Sequence, residues 1–201
     1  MNEIADGVWH WTRKHPKIGV EVSSYLLEPE GVVLDPMVPD EGVEWFAEHG
    51  PPTRIVLTNR HHDREAADFV EALGTSVHVI REGLHEYEGK DLEVEAFDFG
   101  DELPGGLRVH EVGVLCPDET AVEVRRIDAL AIADGAMRYG DGDLHFVPDE
   151  HIGDDPDAIK AGLREAYARL ADDLEPDILL IAHGTPVVGG GAEALRRFAA
   201  G

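Results

Sequence analysis

One segment of the chain, residues 55–64, joins a short apolar stretch to a loop crowded with polar side chains. Ile55-Val56-Leu57 has the character of a buried strand, and Thr58-Asn59-Arg60-His61-His62-Asp63-Arg64 follows it before a helix pattern begins. Because α/β folds place their sites where a strand ends and a helix begins, this loop is the first candidate site. Its imidazole and carboxylate groups are ligands of the kind that zinc, iron(II) and manganese take.

Strand and helix patterns alternate along the rest of the chain. Short apolar runs bounded by turn residues predict strands, and apolar positions three and four residues apart predict helices. The predicted strands are 20–27, 32–34, 55–57, 77–79, 92–97, 107–112, 121–124, 129–132 and 178–181. The predicted helices are 40–48, 66–73, one that begins after Asp155-Pro156, and a short last one with Leu195 and Phe198. We therefore expect one α/β domain, residues 1–201, with two sheets.

Acidic residues dominate the composition. The chain has 201 residues, with 42 Asp and Glu against 17 Lys and Arg, and a formal net charge of −25. This charge repels nucleic acid and anionic lipid, so we expect neither as a partner. The acidic residues are spread along the whole chain and lysine is scarce. This pattern predicts a halophilic, archaeal source, because molar salt in the cytoplasm screens the repulsion.

The remaining global features indicate the compartment. Cys116 is the single cysteine, so no disulfide can form within the chain. Residues 1–6 lack the basic and apolar regions of a signal peptide, and no apolar run reaches the length of a membrane span. We expect a cytoplasmic protein that acts on a small molecule, and the sequence does not indicate an oligomeric state.

The loop at Thr58 resembles the hallmark motif of the metallo-β-lactamase superfamily. That motif is T-H-x-H-x-D-H, and here it reads T-N-R-H-H-D-R. Further segments resemble the family's pattern in the same order: Asp6-Gly7-Val8, Ser24-Tyr25-Leu26-Leu27, Val33-Leu34-Asp35-Pro36, Ala131-Ile132-Ala133-Asp134-Gly135 and Leu180 to Pro186. The resemblance covers nearly the whole chain. It implies a four-layer αβ/βα sandwich, in which two mixed sheets face each other with helices outside.

The same resemblance implies a set of metal ligands that this chain retains only in part. The retained positions are His61, Asp63, Asp134 and His183. Asn59 and Arg64 replace two motif histidines, and a third histidine is expected near Leu115, where none is present. Two imidazoles and two carboxylates suit one divalent ion, with zinc favoured and iron or manganese as alternatives.

Two functions are compatible with this depleted site. In the first, the chain hydrolyses a small ester, thioester or related substrate with hydroxide supplied by the metal. Asp63 then orients or deprotonates the water, and Arg64 binds an anionic substrate group or an oxyanion. In the second, no metal is bound and the chain is a non-catalytic binding protein. The Arg64 guanidinium then pairs with Asp63 or Asp134 and replaces the charge of the metal.

Other residues near these positions have simpler interpretations. In an extended segment His62 points away from His61, so it packs or faces solvent. We expect His110 to be a hydrogen-bonded histidine of a strand and His85 to lie in a surface loop. Cys116 requires a neighbouring base or cation to act as a nucleophile, and a small buried hydrophobic role is the simpler interpretation.

Overall fold

Thirteen strands and four α-helices make up the chain in a computed structural model, which describes residues 1–201. The strands are β1 (Asn2–Ala5), β2 (Val8–Lys14), β3 (Glu21–Leu27), β4 (Val32–Leu34), β5 (Arg54–Val56), β6 (Ser76–Ile80), β7 (Glu95–Phe97), β8 (Glu102–Leu103), β9 (Leu107–Glu111), β10 (Thr120–Val124), β11 (Ala129–Ile132), β12 (Ile178–Ile181) and β13 (Val187–Val188). The helices are α1 (Glu44–His49), α2 (Ala66–Leu73), α3 (Pro156–Leu174) and α4 (Gly191–Ala200). Three short segments form 3-10 helix: Arg81–Tyr87, Arg125–Ile127 and Asp149–His151. None of the helices combines the length and the apolar character that crossing a membrane requires.

The strands form two mixed sheets. Strands β1 to β7 make a seven-stranded sheet in chain order, and the second sheet has the order β13-β12-β11-β10-β9-β8. Pairing is parallel from β4 through β7 and between β11 and β12, and antiparallel elsewhere. Every residue of β11 and β12 is buried. Their uninterrupted apolar sequences follow from this, because both faces of these strands are covered.

Three hydrophobic clusters define the layers. Between the two sheets, Tyr25 and Leu34 of one sheet share a cluster with Val122 and Leu180 of the other. A second cluster joins the six-stranded sheet to α3 and α4, and a third joins the seven-stranded sheet to α1 and α2. The layers therefore run helix, sheet, sheet, helix, which confirms the predicted αβ/βα sandwich.

Most of the predicted elements are present, with shifts at their ends. Strands β11 and β12 have the predicted bounds, and α3 begins at Pro156. The carboxylate of Asp155 caps α3 by accepting a hydrogen bond from the Ala158 N–H at 3.1 Å. Strands β1 and β2 were not among the predicted elements. In β2 only Val8 and Trp11 are buried, so its sequence lacks the regular alternation of a half-buried strand.

The loops after β4, β5, β11 and β12 converge at one end of the sandwich. Hydrogen bonds join the two sheets there: the Tyr25 hydroxyl donates to the Ile181 carbonyl at 2.8 Å, and the Ser23 hydroxyl donates to the Gly184 carbonyl at 2.6 Å. These loops follow the carboxyl ends of parallel strands, where open α/β sheets form their crevices. Residues from distant parts of the sequence are thereby brought to one place.

Candidate metal centre

His62, in the loop after β5, is held between two carboxylates. The residue is 4% exposed. Its Nδ1 lies 3.0 Å from Asp35 Oδ2, and its Nε2 lies 3.0 Å from Asp134 Oδ1. Thr58 contributes a further contact, because its hydroxyl oxygen lies 3.0 Å from the same Nδ1. Both ring nitrogens of His62 are therefore engaged inside the fold.

Asp134 and His183 reach the same point from the second sheet. Asp134 follows β11 and His183 follows β12, and these strands are parallel neighbours. Asp134 Oδ1 lies 2.8 Å from His183 Nε2. The other oxygen, Oδ2, accepts a hydrogen bond from the Asn59 side-chain amide at 2.7 Å. Asn59 stands at the position of a motif histidine, and here it fixes Asp134 in place.

Asp35 is the buried support of this arrangement. Its carboxylate accepts hydrogen bonds from the Thr58 N–H at 2.8 Å and from the Thr58 hydroxyl at 2.6 Å, in addition to its contact with His62. The Leu34-Asp35-Pro36 segment predicts that Asp35 hydrogen-bonds loops under the site, and its contacts with Thr58 confirm this. The structure shows that it orients the His62 ring.

Charges of opposite sign set the protonation of these groups. Burial acts to lower the pKa of His62, but Asp35 and Asp134 on its two sides raise that pKa to about 9. Burial acts to raise the pKa of each carboxyl group. The charge of His62 nevertheless brings the pKa of Asp35 below its ordinary value and that of Asp134 well below it. Without a metal ion, the two carboxylates favour the imidazolium form of His62.

His62, Asp134 and His183 form a group with the geometry of a metal site. One ligand atom from each of the three lies within 4.8 Å of the others, and residues 1–201 contain no second such group of three or more His, Cys, Asp or Glu side chains. Two imidazoles and one carboxylate are the donor set of catalytic zinc sites and of non-haem iron sites with open positions.

The surroundings of the group also fit a divalent ion. A metal-binding histidine commonly holds a carboxylate on its other ring nitrogen, and Asp35 occupies that place on His62. The Asp134 side chain is 27% exposed and that of His183 is 12% exposed, so the group is accessible from solvent. These three residues are therefore a candidate site for one ion.

The structure places two of the sequence-predicted ligands outside this group. His61 is exposed, and its backbone N–H donates to the Asn59 side-chain oxygen at 2.8 Å. Asp63 Oδ2 lies 2.9 Å from Lys90 Nζ in an ion pair at the surface. The four-residue set His61, Asp63, Asp134 and His183 is thus not assembled here. Asp134 and His183 come together, and His62 joins them.

His62 packs inside the fold, one of the two roles expected of it, but the expectation assumed the wrong local geometry. It assumed an extended segment, but residues 60–65 form consecutive turns. The His62 N–H donates to the Asn59 carbonyl at 3.2 Å, and this turn brings the ring back over Thr58. The spacing of four residues between Thr58 and His62 is the only local signal that favours this geometry. The buried Asp35 that completes it is distant in sequence.

The Arg64 guanidinium has carbonyl partners and no carboxylate partner. Its Nη1 donates to the Ser23 and Asp35 carbonyls, both at 2.7 Å, and its Nη2 donates to the Ala182 carbonyl at 3.4 Å. The predicted ion pair of Arg64 with Asp63 or Asp134 is absent. Three carbonyls converge on this guanidinium, so Arg64 links β3 to the loops that follow β4 and β12. The Arg64 charge also lowers the pKa of Asp35, although its contribution is smaller than that of His62.

The remaining candidate residues lie outside the group. His110 Nε2 lies 2.8 Å from Glu123 Oε2 across two paired strands, and His85 Nδ1 lies 3.0 Å from the Glu82 carbonyl at the surface. Burial raises the pKa of the Cys116 thiol to about 12, with a further contribution from Glu119. A thiolate nucleophile is therefore disfavoured at Cys116, as the sequence-based interpretation held.

Comparison with known proteins identifies the fold. No family model and no curated protein matches the sequence. Among solved structures, the metallo-β-lactamase DIM-1 exposed to ceftazidime matches with a TM-score of 0.72 at 15% identity, covering 99% of this chain and 95% of that one. A metallo-β-lactamase from Hirschia baltica matches with a TM-score of 0.69 at 19% identity, covering 99% and 95%.

A rubredoxin oxygen:oxidoreductase from Desulfovibrio gigas matches as well. Its TM-score is 0.66 at 15% identity, and the match covers 99% of this chain and 60% of that one. The chain therefore has the metallo-β-lactamase fold. The names of these matched proteins describe different reactions, so the fold does not by itself assign the reaction.

Proposed function

We propose that this chain is a metal-dependent hydrolase with a single divalent ion held by His62, Asp134 and His183. The observation that carries the proposal is the convergence of three ligand atoms within 4.8 Å at the accessible end of the sandwich. A bound divalent ion there supplies Lewis acidity, which lowers the pKa of water and polarises a carbonyl group. Zinc is the ion we favour, and iron or manganese would suit the same donors.

The residues of the chain have separate parts in this proposal. Asp35 and Thr58 hold the His62 ring so that its Nε2 faces the group. Asn59 holds one oxygen of Asp134 and leaves the other beside the two imidazoles. Arg64 is committed to three carbonyls, so we assign it to holding the loops and not to binding substrate.

The substrate we propose is a small ester, thioester or lactam. The matched lactamase was exposed to ceftazidime, which supports a lactam as one class to test. Asp63 at the rim is paired with Lys90, so any role in orienting water requires it to leave that pair. The high negative charge of the chain supports a cytoplasmic, halophilic protein and disfavours nucleic acid as substrate.

One observation favours a second candidate function, a metal-free binding protein. His62 Nε2 already lies within hydrogen-bond distance of Asp134, and the two flanking carboxylates raise the pKa of His62 to about 9. An imidazolium at His62 would then supply the positive charge that the sequence-based interpretation assigned to Arg64. The cleft would bind a ligand without hydrolysing it.

Zinc titration of matched variants separates these two candidates. Protein purified without chelator is analysed for bound metals, stripped with a chelator, and titrated with zinc chloride by calorimetry. We expect one zinc per chain for the wild type, loss of binding in His62→Ala and His183→Ala, and retained binding in the exposed control His61→Ala. Hydrolysis of nitrophenyl acetate, a thioester and nitrocefin is followed with the zinc-loaded protein. A folded wild type that binds no zinc, iron or manganese would overturn the metal-dependent proposal and leave the metal-free candidate.

A further inference from the structure

Three consecutive residues, Asp118, Glu119 and Thr120, lie fully buried behind the candidate metal centre. Each of them is 0% exposed. They lead into β10, in the region where the family resemblance implied a metal-binding histidine near Leu115. Instead of a ligand, this segment provides hydrogen bonds to the loops that carry the ligands.

Asp118 and Thr120 contact the loop that carries His62. The backbone N–H and the hydroxyl of Thr120 both donate to the Thr58 carbonyl at 2.9 Å. Asp118 Oδ2 accepts a hydrogen bond from the Arg60 N–H at 2.7 Å, and its other oxygen pairs with the Arg60 guanidinium. The His62 loop is therefore anchored to the start of β10 on both sides of Asn59.

Glu119 contacts the other ligand-bearing loop. Its Oε1 accepts a hydrogen bond from the Gly135 N–H at 2.7 Å, and Gly135 directly follows Asp134. The Tyr167 hydroxyl of α3 lies 3.5 Å from the same oxygen. A Cβ at position 135 would lie 2.6 Å from the Tyr167 hydroxyl and 2.8 Å from Glu119 Oε1. Any larger residue at position 135 would force these side chains to shift, so the Gly135 backbone and the Glu119 carboxyl group are in close contact.

The burial of Glu119 has a cost that its contacts with Gly135 and Tyr167 must offset. Its second oxygen, Oε2, is buried and has no hydrogen-bond partner. Burial, and then the nearby charge of Asp134, raises the pKa of Glu119 to about 8. An unpartnered polar atom in the interior costs roughly 1–3 kcal/mol. An apolar side chain would avoid this cost, but it would leave the Gly135 N–H without its acceptor.

We propose that Glu119 is a positioning residue of the metal centre, which holds the Asp134–Gly135 turn at a fixed distance from His62. One buried segment then sets both sides of the site: Asp118 and Thr120 fix the His62 loop, and Glu119 fixes the Asp134 loop. This inference rests on the proposed metal-binding function. It predicts that the Glu119 acceptor affects metal affinity without touching the metal.

Zinc affinity of three variants tests the proposal. Glu119→Leu removes the acceptor, Glu119→Gln keeps an amide oxygen in its place, and Glu30→Leu is the matched control. Glu30 is another buried glutamate, 6% exposed and paired with Arg126. It lies before β4, at the opposite end of this strand from Asp35 and the site. We expect Glu119→Leu to weaken zinc binding about ten- to hundred-fold, as loss of a residue supporting a metal ligand typically does. Glu119→Gln should stay close to the wild type, and Glu30→Leu should lose stability but not zinc affinity.

Each remaining outcome is decisive. A folded Glu119→Leu protein with wild-type zinc affinity would refute the positioning role of Glu119. If Glu119→Leu does not fold, Glu119→Asp, whose shorter side chain withdraws the acceptor, replaces it with the same expectation. If the wild type binds no zinc, the proposed function fails, and nitrogen NMR of the His62 and His183 rings in the metal-free protein tests the positioning role. Ring signals that shift in Glu119→Leu and not in Glu30→Leu support it, and unchanged signals refute it.

Discussion

The carboxylate of Asp35 meets the imidazole of His62 at 3.0 Å, between Oδ2 and Nδ1, in the buried floor of the site. Thr58 donates two hydrogen bonds to this carboxylate and thereby holds it in position against the ring. Because the Nδ1 side of the ring is engaged, its Nε2 is the nitrogen that faces Asp134. The direction in which His62 presents a ligand atom is thus decided by a residue from another strand.

Replacing Asp35 should therefore affect both stability and metal binding. In Asp35→Asn the His62 ring loses its buried charged partner, which typically costs about 3–5 kcal/mol in the free energy of unfolding. Zinc affinity should fall about ten- to hundred-fold, because the ring is no longer oriented. Urea denaturation and zinc titration measure the two effects, with the exposed Asp141→Asn as control. Wild-type zinc affinity in folded Asp35→Asn would contradict the orienting role.

Arg64 allows its side chain and its backbone to be tested separately. The residue has a φ of 41°, in the left-handed region that favours glycine, and its guanidinium joins three carbonyls. Arg64→Ala and Arg64→Gly both remove the hydrogen bonds, so both should be destabilised by about 3 kcal/mol or more. Arg64→Gly should be about 1 kcal/mol more stable than Arg64→Ala, because glycine adopts this φ without strain. Denaturant melts of the pair give both differences, and an Arg64→Ala protein as stable as the wild type would refute the bridging role.

The buried carboxyl group of Glu119 should make stability depend on pH. Burial raises its pKa in the folded protein from an ordinary 4.5 to about 8, so the folded state holds this proton more tightly than the unfolded state. Unfolding then releases a proton between about pH 4.5 and 8, and the free energy of unfolding falls as the pH rises through that window.

Glu119→Gln removes this contribution and leaves all other titrating groups in place. We expect the wild type to lose stability steadily relative to Glu119→Gln as the pH rises from acid to neutral. Urea melts at intervals of pH measure it, and subtracting the two curves removes the contribution of the histidines. A difference that does not change with pH would show that Glu119 has an ordinary pKa in the fold.

Salt should stabilise the fold. The net charge of −25 produces repulsion that favours expansion, and molar salt screens it within a few Å. We expect the Tm to rise from low to molar KCl. A sucrose series, which adds no ions, separates screening from a general effect of cosolutes on burial. An unchanged or higher Tm at low salt would argue against the halophilic interpretation.

The sequence predicted the elements of the sandwich because local pattern and tertiary burial agree there. The buried strands β11 and β12 are uninterrupted apolar runs, and α3 begins at an Asp-Pro cap. Asp134 and His183 could be proposed for the site for the same reason. Each is the first strongly polar residue after one of these runs, so its position depends on where the strand ends.

The composition of the site itself was not predictable in the same way. Residues 60–65 form turns that alternation along a strand does not describe, so His61 and His62 exchange the roles expected of them. Arg64 finds its partners on three segments that are separated from it by 29 to 118 residues. No spacing in the sequence indicates which backbone carbonyls will converge on a guanidinium.

The sequence by itself determined the two-sheet fold, the acidic surface and the two polar residues that follow β11 and β12, because these depend on local periodicity and composition. Only the tertiary structure decided that His62 replaces His61, that Asp35 supports it, and that the β10 entrance anchors both loops. These contacts are hydrogen bonds between buried groups far apart in the chain. Which groups pair depends on which donors and acceptors the packing of the two sheets brings side by side.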